Sequence, residues 1–184
     1  MRPAFDTLRT MKMIAGLLLA ASLCTAQGLS NRRAPSWNLP DSSLKRYDIL
    51  DYRGKWLVLD FMITNCPHCK TLSSILEKVK SRYAGKAAVV SITVTPPENQ
   101  DTVAAYVKEN KITIPILFDM SQVAAVYFKI APSKPAMDTP HLFVVDPNGN
   151  IVRDWGYGEA TKDLMEGPGT TLFKELDNLI NAKK

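Results

Sequence analysis

The chain has 184 residues, 46% of them hydrophobic and 22% charged, a balance that fits a globular chain with its own core and excludes a disordered one. Of the formal charge of +5, Arg2, Arg9 and Lys12 against Asp6 carry a net +2, leaving about +3 from residue 27 onward. With no basic stripe interleaved with aromatics, that is too little to expect a nucleic-acid partner.

Residues 1–26 read as a secretory signal peptide. Arg2, Arg9 and Lys12 form a positive start, and "MIAGLLLAASL", Met13 to Leu23, is an apolar run. It is short of the roughly 20 apolar residues that cross a bilayer. Small residues around Ala26 suit cleavage there, and "MKMIAGLLLAASL" from Met11 is complete as a signal by itself. Cys24 offers lipidation as the rival, but Leu23 before it is bulky where such sites take a small residue. Export to a periplasmic or other extracytoplasmic, oxidising compartment is therefore expected, where disulfide chemistry belongs. Residues 27–184 form the expected single domain.

That domain opens on "NRRAPSWNLPDSSLKRYDILDYRGK", whose prolines, aspartates and short apolar pairs predict an extended segment with a hairpin. "WLVLDFMI", Trp56 to Ile63, predicts a buried central strand. Leu72, Ile75, Leu76 and Val79 recur at helical spacing, so a helix runs to about Tyr83 and stops near Gly85. "AAVVSITV", Ala87 to Val94, predicts a second buried strand. "DTVAAYVKEN" sets Val103, Tyr106 and Val107 on one helical face, and Val123, Val126 and Tyr127 mark a short helix. "HLFVV", "DPNGN" and "IVRDW" predict strand, tight turn at Asn148-Gly149, and strand. Leu172, Phe173, Leu176, Leu179 and Ile180 give a terminal amphipathic helix. Strands that alternate with helices, followed by an antiparallel pair, predict an α/β sandwich around a central mixed β-sheet.

Two of the three cysteines stand in "NCPHCK", between the first strand and the first helix. Cys66 ends the strand's exit and Cys69 falls in the helix's first turn. At a helix N-terminus the unpaired N–H groups and the macrodipole favour a thiolate. Three-residue spacing within one turn brings the sulfurs near enough to bridge. Cys66 is then the exposed nucleophile and Cys69 the more buried resolving thiol. Pro67 and His68 lie between them, and His68 adds a donor and a charge that would support the thiolate. A Cys-x-x-Cys at a strand–helix junction in an exported chain is a strong redox signal.

On these residues the chain resembles the thioredoxin superfamily, within it the exported TlpA/ResA-like and redoxin-type thiol–disulfide oxidoreductases. The resemblance runs over about residues 34–182, through "APSWNLPD", "DYRGKWLVLDF", "NCPHCK" and "DTPHLFVVDPNGNI". It implies a thioredoxin-like fold, a cis peptide at Thr139-Pro140 that leaves the Thr139 backbone free to pair with an extended client, and a buried acid at Asp60 that relays the proton of Cys69. It implies dithiol- or disulfide-bearing client proteins, a redox-recycling partner in the membrane or outside it, a monomer, and no cofactor or metal. Asn65 stands where the family usually has an aromatic, and "KIAPSKPAMD" is longer than usual. Pro-His between the cysteines is a dipeptide of the oxidising, DsbA-like members.

Simpler readings exist for each residue. Cys66 and Cys69 could hold zinc, but that needs four ligands, and the other donors of the right type are His68, inside the same turn, and His141. Asp60 could be a solvated strand-edge carboxylate, and His68 an inert surface residue. His141 reads most simply as a strand residue at the rim, Trp37, Trp56 and Trp155 as core or rim aromatics, and the methionines as packing. Two other activities use the same fold. A peroxiredoxin-type thiol peroxidase places Thr or Ser three residues before its cysteine, whereas Thr64 is two before Cys66. Copper-delivery proteins typically space their cysteines by three residues, not two.

Overall fold

The computed structural model describes residues 28–133 and 137–181. The expected signal segment, its Ala26 cleavage point and Cys24 lie outside these residues.

A six-stranded mixed sheet forms the centre, in the order β1 (Arg32–Arg33), β8 (Asn150–Gly156), β7 (His141–Val145), β4 (Trp56–Met62), β5 (Ala87–Val94), β6 (Ile116–Asp119). β4, β5 and β6 run parallel, while β7, β8 and β1 alternate against them. β2 (Asn38–Pro40) and β3 (Arg46–Asp48) form the expected hairpin, and Asp41 bridges from it to Leu117 at the edge of the main sheet. The helices are α1 (Pro67–Arg82), α2 (Gln100–Asn110), α3 (Gln122–Tyr127), α4 (Lys162–Met165) and α5 (Thr170–Ile180).

β4 shows why the sheet is sandwiched. Its alternate side chains Val58 and Met62 join a core with Leu72, Ile75, Leu76 and Val79 of α1 and Leu172 and Leu176 of α5. Leu57, Leu59 and Phe61 join a second core with Trp37, Tyr127, Phe128 and Phe143. Both faces are buried, so the strand reads as a continuous apolar run. The one exception in that run, Asp60, shares its parity with Val58 and Met62 and therefore lies beneath α1.

α1 starts where its sequence predicts. Cys66 is the N-cap in extended backbone, Pro67 occupies the first turn, and Lys80 and Arg82 sit in the last turn, where positive charge suits the macrodipole. The helix is fixed at its far end by Tyr83, whose hydroxyl donates to the Phe173 carbonyl at 3.2 Å and to Asp177 Oδ1 at 2.9 Å on α5. The Asn148-Gly149 turn forms as expected, with Gly149 at φ +85°. β1, β6 and α4 were not among the expected elements. Val123, Val126 and Tyr127 mark α3 as expected, with Val123 and Tyr127 buried and Val126 half exposed.

Gly169 caps α5 at φ +78°, and a Cβ added there would run into the Ile75 side chain of α1. Gly169→Ala is expected to lower stability by about 2–4 kcal/mol, from left-handed backbone and overpacking together. Urea denaturation of parent and variant measures this; an unchanged midpoint would show that the α1–α5 contact tolerates the methyl.

Candidate active site

The two cysteines are made unequal by the helix start. The Cys66 sulfur accepts the backbone N–H of Cys69 at 3.2 Å. That N–H belongs to the first helical turn and has no carbonyl partner within the helix, so its dipole favours negative charge on this sulfur. Cys66 is partly exposed, Cys69 is fully buried, and both thiols are free.

Asp60 is also fully buried. It pairs in register with Ser91 of β5 and Leu142 of β7. Ser91 Oγ donates to its Oδ2 at 3.2 Å, and among the described residues its Oδ1 has no hydrogen-bond partner. Burial raises the Asp60 carboxyl from the ordinary 3.8 to about 7, with the Ser91 bond acting against that rise. The Cys69 thiol is pushed far up as well, first by burial, then by its hydrogen bond with Cys66, with the Asp60 charge adding to it. Burial and the mutual repulsion of their charges make it costly for both acids to ionise at once, so at least one of the pair stays protonated near neutrality. This overturns the reading of Asp60 as a solvated edge carboxylate. On the same face, Ser73 and Tyr106 hydrogen-bond at 2.8 Å, and Thr93 adds a buried hydroxyl.

His68 is exposed beside the thiols, but its ring is committed elsewhere. Nδ1 lies 2.8 Å from Glu166 Oε1, and the ring stacks on Tyr157 with centroids 4.1 Å apart. Tyr157 donates its hydroxyl to the same Glu166 oxygen at 2.6 Å. The Thr139-Pro140 peptide is cis, and the Pro140 carbonyl accepts the Tyr157 N–H at 3.1 Å. Tyr157 is thus joined to His68 by stacking and to Pro140 by its N–H, and its hydroxyl feels the charge of Cys66, which groups these residues at the end of the sheet where the parallel strands finish.

His141 is not at the rim. As the first residue of β7 it is 4% exposed, stacked on Phe143 at 4.6 Å, with Nε2 3.3 Å from Asp154 Oδ2. It shares the parity of Phe143, so it lies on the face opposite α1, and β4 and β8 cover it from both sides. Trp37 is buried, while Trp56 and Trp155 are partly buried against the α1-side core. Among the described residues, no three His, Cys, Asp or Glu side chains converge as a metal site would require.

Three residues of this region carried no signal in the sequence. Glu166 is 98 positions from His68, and Tyr157 follows β8 without any motif. Glu98, 4% exposed, accepts the Thr64 N–H at 2.7 Å and the Thr64 hydroxyl at 2.8 and 2.9 Å. It anchors the turn leading to Cys66 to the segment before α2.

The profile of the AhpC/TSA family matches residues 31–154. The chain is 30% identical over 136 residues to the thioredoxin-like protein YneN of Bacillus subtilis, across 73% of this chain and 75% of that one. It is 24% identical over 136 residues to the thiol–disulfide oxidoreductase ResA of Bacillus cereus, across 74% of each. The crystal structure of a DsbF homologue from Corynebacterium diphtheriae matches with a TM-score of 0.64 at 22% identity, over 80% of this chain and 87% of that one, a likeness of fold.

Asp60→Asn removes the proton acceptor beneath Cys69. It is expected to slow resolution of a mixed disulfide on the order of 10²-fold near pH 7 and to leave the first attack by Cys66 nearly unchanged. Stopped-flow kinetics on a fluorescent disulfide separates the two steps, and equal slowing of both would sink the assignment. Stability gives a second readout. The folded-state value lies above the unfolded one, so the parent loses stability as pH rises from about 4 through about 7. The variant should lack that decline in urea titrations across the same range.

Proposed function

The chain belongs to the AhpC/TSA family, and from that premise we propose that it is an exported thiol–disulfide oxidoreductase that exchanges disulfides with client proteins through Cys66 and Cys69. The observation that carries this reading is the inequality of the two sulfurs. One is partly exposed and takes an N–H at a helix N-terminus; the other is sealed above a protonatable acid.

In the reducing direction, the Cys66 thiolate attacks a client disulfide. A bond forms from its sulfur to the client, and the second client sulfur leaves as thiolate. Cys69 passes its proton to Asp60 and attacks the Cys66 sulfur, closing the Cys66–Cys69 disulfide and expelling the client sulfur bound there, and the two client thiolates take up the two protons that Cys66 and Cys69 released. The oxidising direction runs these steps backwards. A recycling partner, membrane-bound or soluble, restores the starting state, and the signal segment at residues 1–26 would deliver the chain outside the cytoplasm, where it acts as a monomer.

Thiol exchange is favoured here over peroxide reduction by the placement of Thr64. Both its N–H and its hydroxyl serve Glu98, so it is not the hydroxyl that a peroxidatic cysteine would need beside it.

Cys69→Ser is expected to accumulate mixed disulfides with clients, because the resolving thiol is gone, and Cys66→Ser is expected to accumulate none. Non-reducing gels followed by mass spectrometry of the adducts read this directly. Adducts that persist without Cys66 would reverse the roles of the two thiols, and parent protein that consumes peroxide faster than it exchanges disulfides would favour the peroxidase.

A further inference from the structure

We propose that His68 is the acid–base group for the client's own thiol, with Glu166 and Tyr157 as its positioning residues. The inference rests on the thiol-exchange reading above and assigns a proton path for the client sulfur, separate from the Asp60 path for Cys69.

Glu166 Oε1 receives two contacts, Tyr157 Oη at 2.6 Å and His68 Nδ1 at 2.8 Å. The Glu166 carboxyl is held below the usual carboxylate range, chiefly by the Tyr157 hydrogen bond, against some desolvation, with His68 helping. It is therefore ionised near neutrality, and an ionised carboxylate only accepts hydrogen bonds. Both neighbours must donate to it. Nδ1 of His68 then carries a hydrogen in the neutral ring and in the cation alike, and the proton that comes and goes is the one on Nε2. The ring's orientation is fixed a second time by its stack on Tyr157, at an interplanar angle of 24°. Among the described residues Nε2 makes no hydrogen bond, and the side chain is 46% exposed. A clamped, half-exposed ring with one free nitrogen, two residues from the outer thiol, is the geometry of an acid–base group whose base is oriented by a carboxylate.

The surroundings suit that role. The charged and titratable groups that face the cluster are Glu166 and Lys162 from the α4 end, Tyr157 and Glu159 from the segment after β8, and Cys66 from the start of α1. Tyr157 is itself pinned to the Pro140 carbonyl. The clamp thus holds His68 by groups on two other segments, independently of the helix that carries it.

The chemistry balances without a further reagent. In the oxidising direction a client thiol gives its proton to Nε2 of neutral His68. The resulting client thiolate attacks the Cys66 sulfur of the Cys66–Cys69 disulfide. The new client–Cys66 bond forms, the bond to Cys69 breaks, and its electron pair leaves on Cys69, which takes a proton from Asp60. In the reducing direction the imidazolium returns the proton to the departing client sulfur. The sequence-based expectation made His68 a charge for the Cys66 thiolate. The geometry gives its hydrogen-bonding capacity to Glu166 and to the incoming client.

The test uses oxidised full-length protein and a series of small monothiols whose acidities lie on both sides of a free cysteine's, about 8.5. Rates of disulfide opening are measured from mildly acidic to alkaline pH for the parent, Glu166→Gln, Tyr157→Phe and His68→Ala. General-base help matters only while the attacking thiol still holds its proton. Glu166→Gln and His68→Ala are therefore expected to lose on the order of 10-fold with weakly acidic alkyl thiols below pH 7. The loss should vanish with acidic thiols, and at pH values where the alkyl thiol is already ionised. Tyr157→Phe should show a smaller loss of the same shape, and Glu166→Asp should recover part of the rate. A loss that is equal at every pH and for every thiol would make the clamp a packing device and overturn the proposal, as would an unchanged profile in His68→Ala. If the parent opens its disulfide with none of the thiols, the thiol-exchange reading itself fails, a result distinct from either of these.

Discussion

Burying a carboxyl under a thiol is the constraint on which the site depends. The alternation of side chains along β4 leaves Asp60 no route to solvent, because its neighbours of the same parity already serve the core beneath α1. Among the described residues, Ser91 serves one of its oxygens and none serves the other. An acid so placed gives up its charge readily and takes a proton from a neighbour only when that neighbour needs to lose one. The surrounding residues follow from this arrangement. α1 must start where Cys69 falls over the strand, Pro67 must sit inside its first turn, and Cys66 must stay outside as the cap. Moving the helix start by one residue would carry Cys69 off the buried face, and the acid would lose its purpose.

A second layer of contacts holds that start in place. Thr64 is tied to Glu98, and Glu98 in turn receives the Thr102 hydroxyl at 2.6 Å, within the capping box of α2. The segment between β4 and α1 is thereby fastened to the segment between β5 and α2. Both lie at the carboxyl ends of parallel strands, where loops of different origin converge. The cluster of His68, Tyr157 and Glu166 ties the first turn of α1 to the segments that follow β8 and α4. Each of these contacts joins parts of the chain that only the folded sheet brings together.

That is also why the sequence was legible in some places and silent in others. β5 could be read to its ends, because a buried parallel strand is a continuous apolar run. The limits of α1 are legible as well, its start from the placement of the two cysteines and its end from the apolar stripe of Leu72, Ile75, Leu76 and Val79 and from Gly85. The strand–helix placement of Cys66 and Cys69 is legible in the sequence itself, whereas the burial of Asp60 and the cis peptide at Thr139-Pro140 are legible only through family likeness. β6 was missed because Pro115 breaks the run before it and only four residues remain. β1 and α4 are shorter than any periodicity can reveal. Glu98, Tyr157 and Glu166 have ordinary polar neighbours in sequence, and their meaning comes entirely from distant partners. His141 was misplaced because a strand's first residue is usually open, whereas here sheet neighbours and aromatic rings enclose it.

The complete enclosure of Cys69 has one more consequence. Among the described residues, a reagent in solution meets one thiol, and only within the first turn of α1 are there two. An oxidant stronger than a disulfide must strike Cys66 first, leaving a sulfenic acid on that sulfur. The nearest nucleophile is then Cys69, one turn away and shielded from the same oxidant. Its attack expels water and leaves a disulfide, the rung of the ladder from which recovery is simplest. The burial that makes Cys69 slow to ionise thus keeps a spare, unspoiled sulfur in reserve against overoxidation.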